Sequence, residues 1–525
     1  MMEKNKSKTQ GTVRTVALMM AATVAAKVFG MLRSVFMASH YGAGTVTDAF
    51  TAAAHIPLTF FDLLFGAAIL GCFIPVYNSF ARREDGQPSE QADDFACMFL
   101  NLILLSTGLL ALIGILFSPL IVSLFAAGLD AQTQALAATL LRIMFPMIIF
   151  TGSTYTLTGV MQSRGSFMLP ACVSLFSNAI VILYFIFFDR LFGESGIYAL
   201  AAAYLVAWFT QLATLGIPLL RSGFRFKAIL DLKDPALRKA IRSAPPIMLG
   251  SWLTPAGTLI AIHFASLLSE GTASQYDYAY NVFAILAGTL TYSICNYYFP
   301  TLSRLAVEKD EEGFCRTVKT GLGASAAILF PFIAAVLLLS GEGISILYLR
   351  GEFTPEAASG AAVILRTLAL GMPGFAVVEI CSRVFYARSE PKIPMLAALL
   401  GIMSNCVSTA LLTENGILGS AGVGLGNAIG LSAAAILLIV MLFLRARGVF
   451  DREFLLRILK TLGCALISAA VMAVIFHFLS SVGGGSYQRG MVMNIVVCAA
   501  VFAPGAAVYL VLLKLCRLMP EKTKN

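Results

Sequence analysis

Predominantly apolar segments of twenty or more residues recur along this chain, separated by short polar turns. Each is long enough to cross a hydrocarbon core of roughly 30 Å as a helix. The apolar runs predict fourteen helices, near 12–39, 47–80, 94–126, 134–162, 167–189, 195–220, 237–268, 273–304, 316–340, 356–386, 393–413, 418–445, 454–480 and 490–515. That pattern is an all-α polytopic membrane protein.

Composition sharpens this reading. Hydrophobic residues fill 58% of the 525 positions and charged residues only 12%, against about 25% charged in an ordinary soluble domain. A soluble protein is excluded. The ten cysteines are scattered through apolar segments with no Cys-x-x-Cys pair; they read as small packing residues, not as disulfides or a metal site. The basic start "MMEKNKSKTQGTVR" leads into a long helix containing Lys27 and Arg33, without a short apolar region ending in a small-residue cleavage site, so no cleavable signal is expected.

The net charge of +9 carries topology. Lys4, Lys6, Lys8, Arg82, Arg83 and Arg164 lie in one alternate set of connections, as do Arg221, Arg225, Lys227, Lys233, Arg238, Lys239 and Arg242. Arg304, Lys309, Arg388, Lys392, Arg445, Arg447, Lys522 and Lys524 continue that set, while the other holds little beyond Arg190, Arg350 and Arg489. Cytoplasmic loops are enriched in Lys and Arg, so a multi-pass protein of a bacterial cytoplasmic (inner) membrane with both termini cytoplasmic is expected. Basic charge spread in this way is not the single patch of a nucleic-acid binder. Topology is the favoured role of these clusters over recruitment of anionic lipid.

The chain also repeats itself. Arg142, Arg164 and Pro170, in "LLRIMFP" and "SRGSFMLP", lie 224 residues before Arg366, Arg388 and Pro394, in "ILRTLAL" and "ARSEPKIP". The Ala-Ser pair at 38–39 recurs at 265–266, and the Ile-Pro ending at Pro75 has a counterpart in the Phe-Pro ending at Pro300. An offset near 225 equals six helices, an even number, which predicts two parallel six-helix repeats with a substrate site where they meet. The expected organisation is an N-terminal lobe over 1–222, a basic cytoplasmic linker over 223–242, and a C-terminal lobe over 243–447. Two additional C-terminal helices and a cytoplasmic tail follow over 448–525.

Ionisable residues inside the apolar runs are few: Lys27, Arg33, Asp48, His55, Asp62, His263, Asp277, Glu379 and Arg383. A charge at the bilayer centre costs at least about 2.5–3.5 kcal/mol, so such residues usually face a cavity or a partner. Lys27 and Arg33 would suit an anion such as a phosphate, or would snorkel as anchors. Asp48 would hold Arg33 or couple to a proton, or would cap a helix. Glu379 and Arg383, four apart, could neutralise each other. The two histidines are read first as packed side chains, and Asp62 needs a partner or neutralisation.

"GSAGVGLGNAIG", from Gly419 to Gly430, has no preceding strand and no Gly-Lys-Ser/Thr, so it reads as close helix packing. No nucleotide motif, His-Glu-x-x-His or large extramembrane domain is present. The chain therefore reads as a transporter and not an enzyme, without a cofactor or a metal site, driven by a gradient or by the potential of its substrate.

"KVFGMLRSVFMASHYGAGTVTDAF" (27–50), "FYARSEPKIP" (385–394) and "GVGLGNAIGL" (422–431) resemble the MurJ (MviN) family of lipid II flippases, in the multidrug/oligosaccharidyl-lipid/polysaccharide exporter superfamily. The resemblance covers roughly the first 450 residues and is most specific in "GAG-x-x-TDAF" at 42–50. It implies export of a lipid-linked peptidoglycan precursor for cell-wall biogenesis and cell shape, with a cationic central cavity for the pyrophosphate and a groove beside the last two helices for the polyprenyl tail. It places Lys27 where an arginine is usual, and Arg33 and Asp48 on functionally important positions. Phe61 and Asp62 stand where relatives carry an arginine pair, Asn281 replaces a cavity arginine, and Ala261 replaces an acid of a sodium site to which Asn405 corresponds.

These readings converge on a flippase working by alternating access. The cavity is expected to use Lys27, Arg33, Asp48, His55, Asn281 and Arg383, with Asp48, Asp62, Glu379 and Asn405 in coupling or gating. Membrane potential, Na+ and H+ are the coupling candidates. A polyprenyl-pyrophosphate-linked glycopeptide and membrane lipid are the expected partners, and the cell-wall synthesis machinery is a further candidate. Competing readings are a cation-coupled drug exporter or other polyprenyl-linked glycan exporter of the same superfamily, and a membrane glycan polymerase, which the short external loops disfavour.

Overall fold

A computed structural model describes residues 2–66, 69–80, 89–414, 418–483 and 485–518. Arg82, Arg83, Lys522 and Lys524, four of the expected orientation markers, lie outside the described residues. Among the described residues all regular structure is helical. Twelve helices are long and apolar enough to cross a membrane, or thirteen with one bent pair, and the shorter apolar helix Leu253–Ser266 adds another candidate. The fourteen expected spans are compatible with this set.

The chain forms two compact units, Met1–His40 with Thr45–Ser251, and Tyr41–Gly44 with Trp252–Asn525. The first unit is built from α1 (Met2–Tyr41), α2 (Thr45–Phe61), α3 (Ile74–Ser79), α4 (Glu90–Leu116), α5 (Ser118–Phe125), α6 (Ala131–Met144), α7 (Met147–Ser163), α8 (Met168–Leu183), α9 (Asp189–Phe192), α10 (Gly196–Arg221) and α11 (Pro235–Ser251). The second holds α12 (Leu253–Ser266), α13 (Thr272–Phe283), α14 (Thr289–Glu308), α15 (Glu311–Tyr348), α16 (Pro355–Ala369), α17 (Met372–Ala387), α18 (Lys392–Thr413), α19 (Ser420–Arg445), α20 (Arg452–Gly483) and α21 (Met491–Leu515).

Local chemistry sets the helix starts. The Ser89 hydroxyl accepts the Ala92 N–H at 3.2 Å before α4, and the Asp130 carboxylate accepts from Gln132 and Thr133 before α6. Asp310 and Thr354 do the same for α15 and α16, each satisfying donors a helix leaves without an internal partner. Several expected single helices are broken. The run over 134–162 breaks at Pro146, and that over 237–268 at Trp252, where Pro255 falls in the first turn of α12 and its missing N–H costs no intrahelical bond. The run over 47–80 passes from α2 through wide π turns at Asp62–Gly66 and Ile69–Phe73.

The repeat recurs in side-chain contacts. Arg142 Nε donates to Ser118 Oγ at 2.9 Å in the first unit, and Arg366 Nε donates to Ser340 Oγ at 3.1 Å in the second. Both α6–α7 and α16–α17 are one apolar run broken after the arginine-bearing helix, the latter bent by 47°. Arg164 and Arg388 cap α7 and α17, and each is followed by a left-handed residue, Gly165 and Ser389.

The glycine-rich stretch lets α19 lie against α18: a Cβ on Gly430 would stand 2.7 Å from the Gly401 carbonyl oxygen. Helices α20 and α21 pack on α15 through Ala335, Leu339, Met472, Val497 and Val501. A buried polar knot fastens the connection between them to the same helix. Ser486 Oγ donates to Glu342 Oε1 at 2.6 Å, beside Arg489 at 3.8 Å. In the first unit the basic connection after α10 is laid along α4: Asn101 Nδ2 donates to the carbonyls of Lys227 and Ile229 at 2.8 Å each, and Lys227 pairs with Asp94 at 2.5 Å.

Candidate functional site

In the first unit the two α1 cations have different surroundings. Lys27 is half-buried and has no ion-pair or hydrogen-bond partner among the described residues. Arg33 lies with its guanidinium carbon 5.4 Å from the Tyr204 ring centroid, on α10, and its buried Nε has no hydrogen-bond partner. Tyr204 is itself stacked on Trp208 and meets Phe50 edge-on. The arginine is thus held by an aromatic wall, a contact worth about 0.5–2 kcal/mol depending on desolvation.

Asp48 is 2% exposed in the first turn of α2 and is engaged with neighbouring groups. His55, one helical stretch further on, is half-buried and also engaged. Asp62 opens the π turn and stands near Tyr155, whose ring packs on the fully buried Phe61 at 5.1 Å. A π turn widens the helix and frees backbone groups, a geometry frequent at functional positions.

In the second unit the expected site residues are mostly neutral or neutralised. Arg383 Nη1 donates to Glu379 Oε2 at 2.5 Å and to the Glu379 carbonyl at 2.8 Å, with its guanidinium 5.6 Å from the Tyr292 ring centroid. Asn281 Nδ2 donates to Asp277 Oδ2 at 3.3 Å along α13. Asn405, buried on α18, accepts from Thr409 Oγ1 at 2.9 Å, and with Asn427 and Thr254 it lines a small cavity beside Tyr280. Ala261 is buried. His263 is half-buried and engaged, packed edge-on against Phe264.

The structure shows relationships that sequence reasoning missed. Asp277 and Asp48 share a spacing: each lies six residues after a left-handed glycine, Gly271 and Gly42, although Asp48 falls in the first turn of α2 and Asp277 in the second turn of α13. That spacing was readable in the sequence. Arg164 is clamped by Asp93 at 2.6 Å, with Tyr77 Oη donating to the same carboxylate at 3.2 Å and the Phe224 ring 5.4 Å from the guanidinium. Two apolar grooves of about 350 and 440 Å³ flank α15, one walled by α21 and the other by α17 and α20.

A helical membrane scaffold built from a repeated six-span unit, with two intramembrane cations that have no acidic partner among the described residues, defines a transporter. Its fold is similar to a solved structure described as "Lipid II flippase MurJ, inward closed conformation", with a TM-score of 0.77 and 20% identity, covering 94% of this chain and 98% of that one. An inward-facing multidrug resistance MATE family transporter of the MOP superfamily is also similar, at a TM-score of 0.63 and 15% identity, covering 81% and 95%. The model of the lipid II flippase MurJ family matches residues 37–497, and the chain belongs to that family. A probable lipid II flippase MurJ of Bdellovibrio bacteriovorus is 28% identical over 398 residues, 74% of each chain. The lipid II flippase MurJ of Burkholderia cenocepacia is 26% identical, over 86% of this chain and 87% of its own.

Proposed function

We propose that this chain flips lipid II from the inner to the outer leaflet of the cytoplasmic membrane. The family match over residues 37–497 carries the reading. Lys27, with no acidic partner among the described residues, and Arg33, set over the Tyr204 ring, are the groups available to a pyrophosphate. Inside the membrane such cations replace water around the phosphates, while the polyprenyl tail stays in lipid. Asp48 lies in the first turn of α2, His55 further along the same helix, and Asp62 in the π turn that follows it.

Transport proceeds by alternating access, with the cationic site presented first to the inner and then to the outer side. An anion with roughly two charges moving outward across an inside-negative membrane gains about 2.3 kcal/mol per charge per 100 mV, so the membrane potential biases export. Both termini face the cytoplasm on the basic-loop pattern. The substrate comes from the cell-wall machinery, which makes that machinery the first place to look for a protein partner.

The test is made in a bacterium depleted of its own lipid II flippase and expressing this chain, scoring lipid II accessible at the outer face. Exposure restored by the chain and lost with Arg33→Ala, at equal membrane insertion, is the expected result. Exposure unchanged by Arg33→Ala removes the cationic site from the proposal. No restoration by the inserted wild-type chain moves the substrate to another polyprenyl-linked glycan or a drug.

A further inference from the structure

The two additional helices carry cysteines that meet. Cys464, in the fourth turn of α20, is buried, and its thiol contacts the sulfur of Cys516 at 4.0 Å. Cys516 is exposed and caps the C-terminus of α21. Among the described residues no other pair of cysteine sulfurs is in hydrogen-bond contact.

The turn that presents Cys516 is firmly built. Its N–H bonds to the Leu512 carbonyl at 2.9 Å, and Arg517 takes a left-handed conformation with φ +55°. The Leu518 N–H then returns to the Leu513 carbonyl at 2.9 Å, and the Leu518 carbonyl accepts from Arg457 Nη2 at 3.3 Å, back on α20. Leu518, Leu513, Tyr509 and Ala465 close around Cys464 in one buried cluster. The sulfurs are therefore held as neighbours by backbone and packing, about 2 Å beyond the ~2.05 Å covalent distance, a gap that side-chain rotation can close.

We propose that Cys464 and Cys516 are a redox-modifiable pair that closes to a disulfide when the cell meets a peroxide-class oxidant. The exposed Cys516 sulfur attacks the peroxide oxygen and becomes a sulfenic acid, releasing one water. The Cys464 sulfur then attacks the sulfenic sulfur and expels the second water, so two thiols lose two electrons and two protons to one peroxide. A dithiol reductant reverses the step. The bond staples α20 to α21 within two residues of Leu462, Ala465 and Leu466, which wall the apolar groove between α15, α17 and α20. Oxidation thus restrains the groove wall without touching the α1 cations.

The experiment uses the full chain purified in detergent under reduction, then treated with hydrogen peroxide. Peptide mapping is expected to find the 464–516 link as the principal disulfide, with the thermal midpoint raised and restored by dithiothreitol. Cys516→Ser and Cys464→Ser are each expected to abolish both the link and the shift, and to leave lipid II exposure in reduced cells unchanged. Cys516 oxidised alone, or cross-links distributed over the other cysteines, overturns the proposal. Failure of lipid II exposure in the wild-type chain bears on the transport reading and leaves this chemistry testable.

Discussion

The two units are built to one plan and charged differently. In both, an arginine bonds a serine on the preceding helix, Arg142 to Ser118 on α5 and Arg366 to Ser340 on α15, and a second arginine caps the following helix beside an acid in the first turn of α4 or α15. Yet among the described residues the first unit keeps Lys27 and Arg33 without a carboxylate partner, while the second closes Arg383 on Glu379 and carries the neutral Asn405 and Asn427 in its interior. Duplication fixed the frame, because packing at helix crossings tolerates little change. Under the proposed function the difference has a reason: only the first unit's cations are asked to meet an anion.

The strongest break of this comparison is functional. Lys27→Ala is expected to lower outer-face lipid II exposure roughly 10- to 100-fold, the loss of one charge-assisted contact of about 1.5–3 kcal/mol. The double variant Glu379→Gln with Arg383→Gln removes an internally neutral pair, so exposure should stay within about twofold of wild type, because the net charge there is already zero. If the double variant were as damaging as Lys27→Ala, the second unit would be a full partner in anion binding and the asymmetry would fail.

How much of this was legible in the sequence follows from the range of each signal. Apolar run length and the 224-residue spacing of Arg142, Arg164 and Pro170 with their counterparts are local or periodic, and both survive in the structure. The close approach of Gly430 to Gly401 likewise follows from small residues at helical spacing. What resists reading is partnership at a distance. Nothing near Arg33 in sequence points to Tyr204, and nothing near Arg164 points to Asp93, 71 residues away. Helix breaks were missed for a related reason: a proline at or just inside a helix start costs no intrahelical hydrogen bond, so Pro146, before α7, and Pro255, in the first turn of α12, fit breaks in an apolar run that composition alone makes continuous.

The capping arginines sharpen the comparison next. Side-chain exposure is 12% for Arg164 and 20% for Asp93, against 16% for Arg388 and 70% for Glu311. Removing Asp93 strands a largely buried guanidinium, with Tyr77 Oη 3.4 Å from its Nε. Asp93→Asn should therefore destabilise by roughly 2–3 kcal/mol, below the 3–5 of a fully buried pair. Glu311→Gln should cost under about 1 kcal/mol, as for exposed pairs, and Arg388 keeps the Arg445 carbonyl at 3.2 Å and the Phe314 ring at 4.5 Å. Denaturation of both variants in one detergent decides it: equal losses would mean that solvent exposure does not separate the two clamps.

The smallest effect lies one residue further along. Gly165 has φ +81° and Ser389 φ +58°, at matching places after the two arginines. A left-handed residue with a Cβ carries roughly 1 kcal/mol of strain, which glycine avoids. The space around Gly165 is open, so Gly165→Ala pays for conformation alone and should lose about 1 kcal/mol. Ser389→Gly relieves the same strain but loosens the unfolded chain, so a gain of at most about 1 kcal/mol is expected. Opposite signs in thermal unfolding would tie both turns to one backbone geometry. A loss on Ser389→Gly would instead mean that the serine side chain holds its turn, and the two connections would be alike in path only.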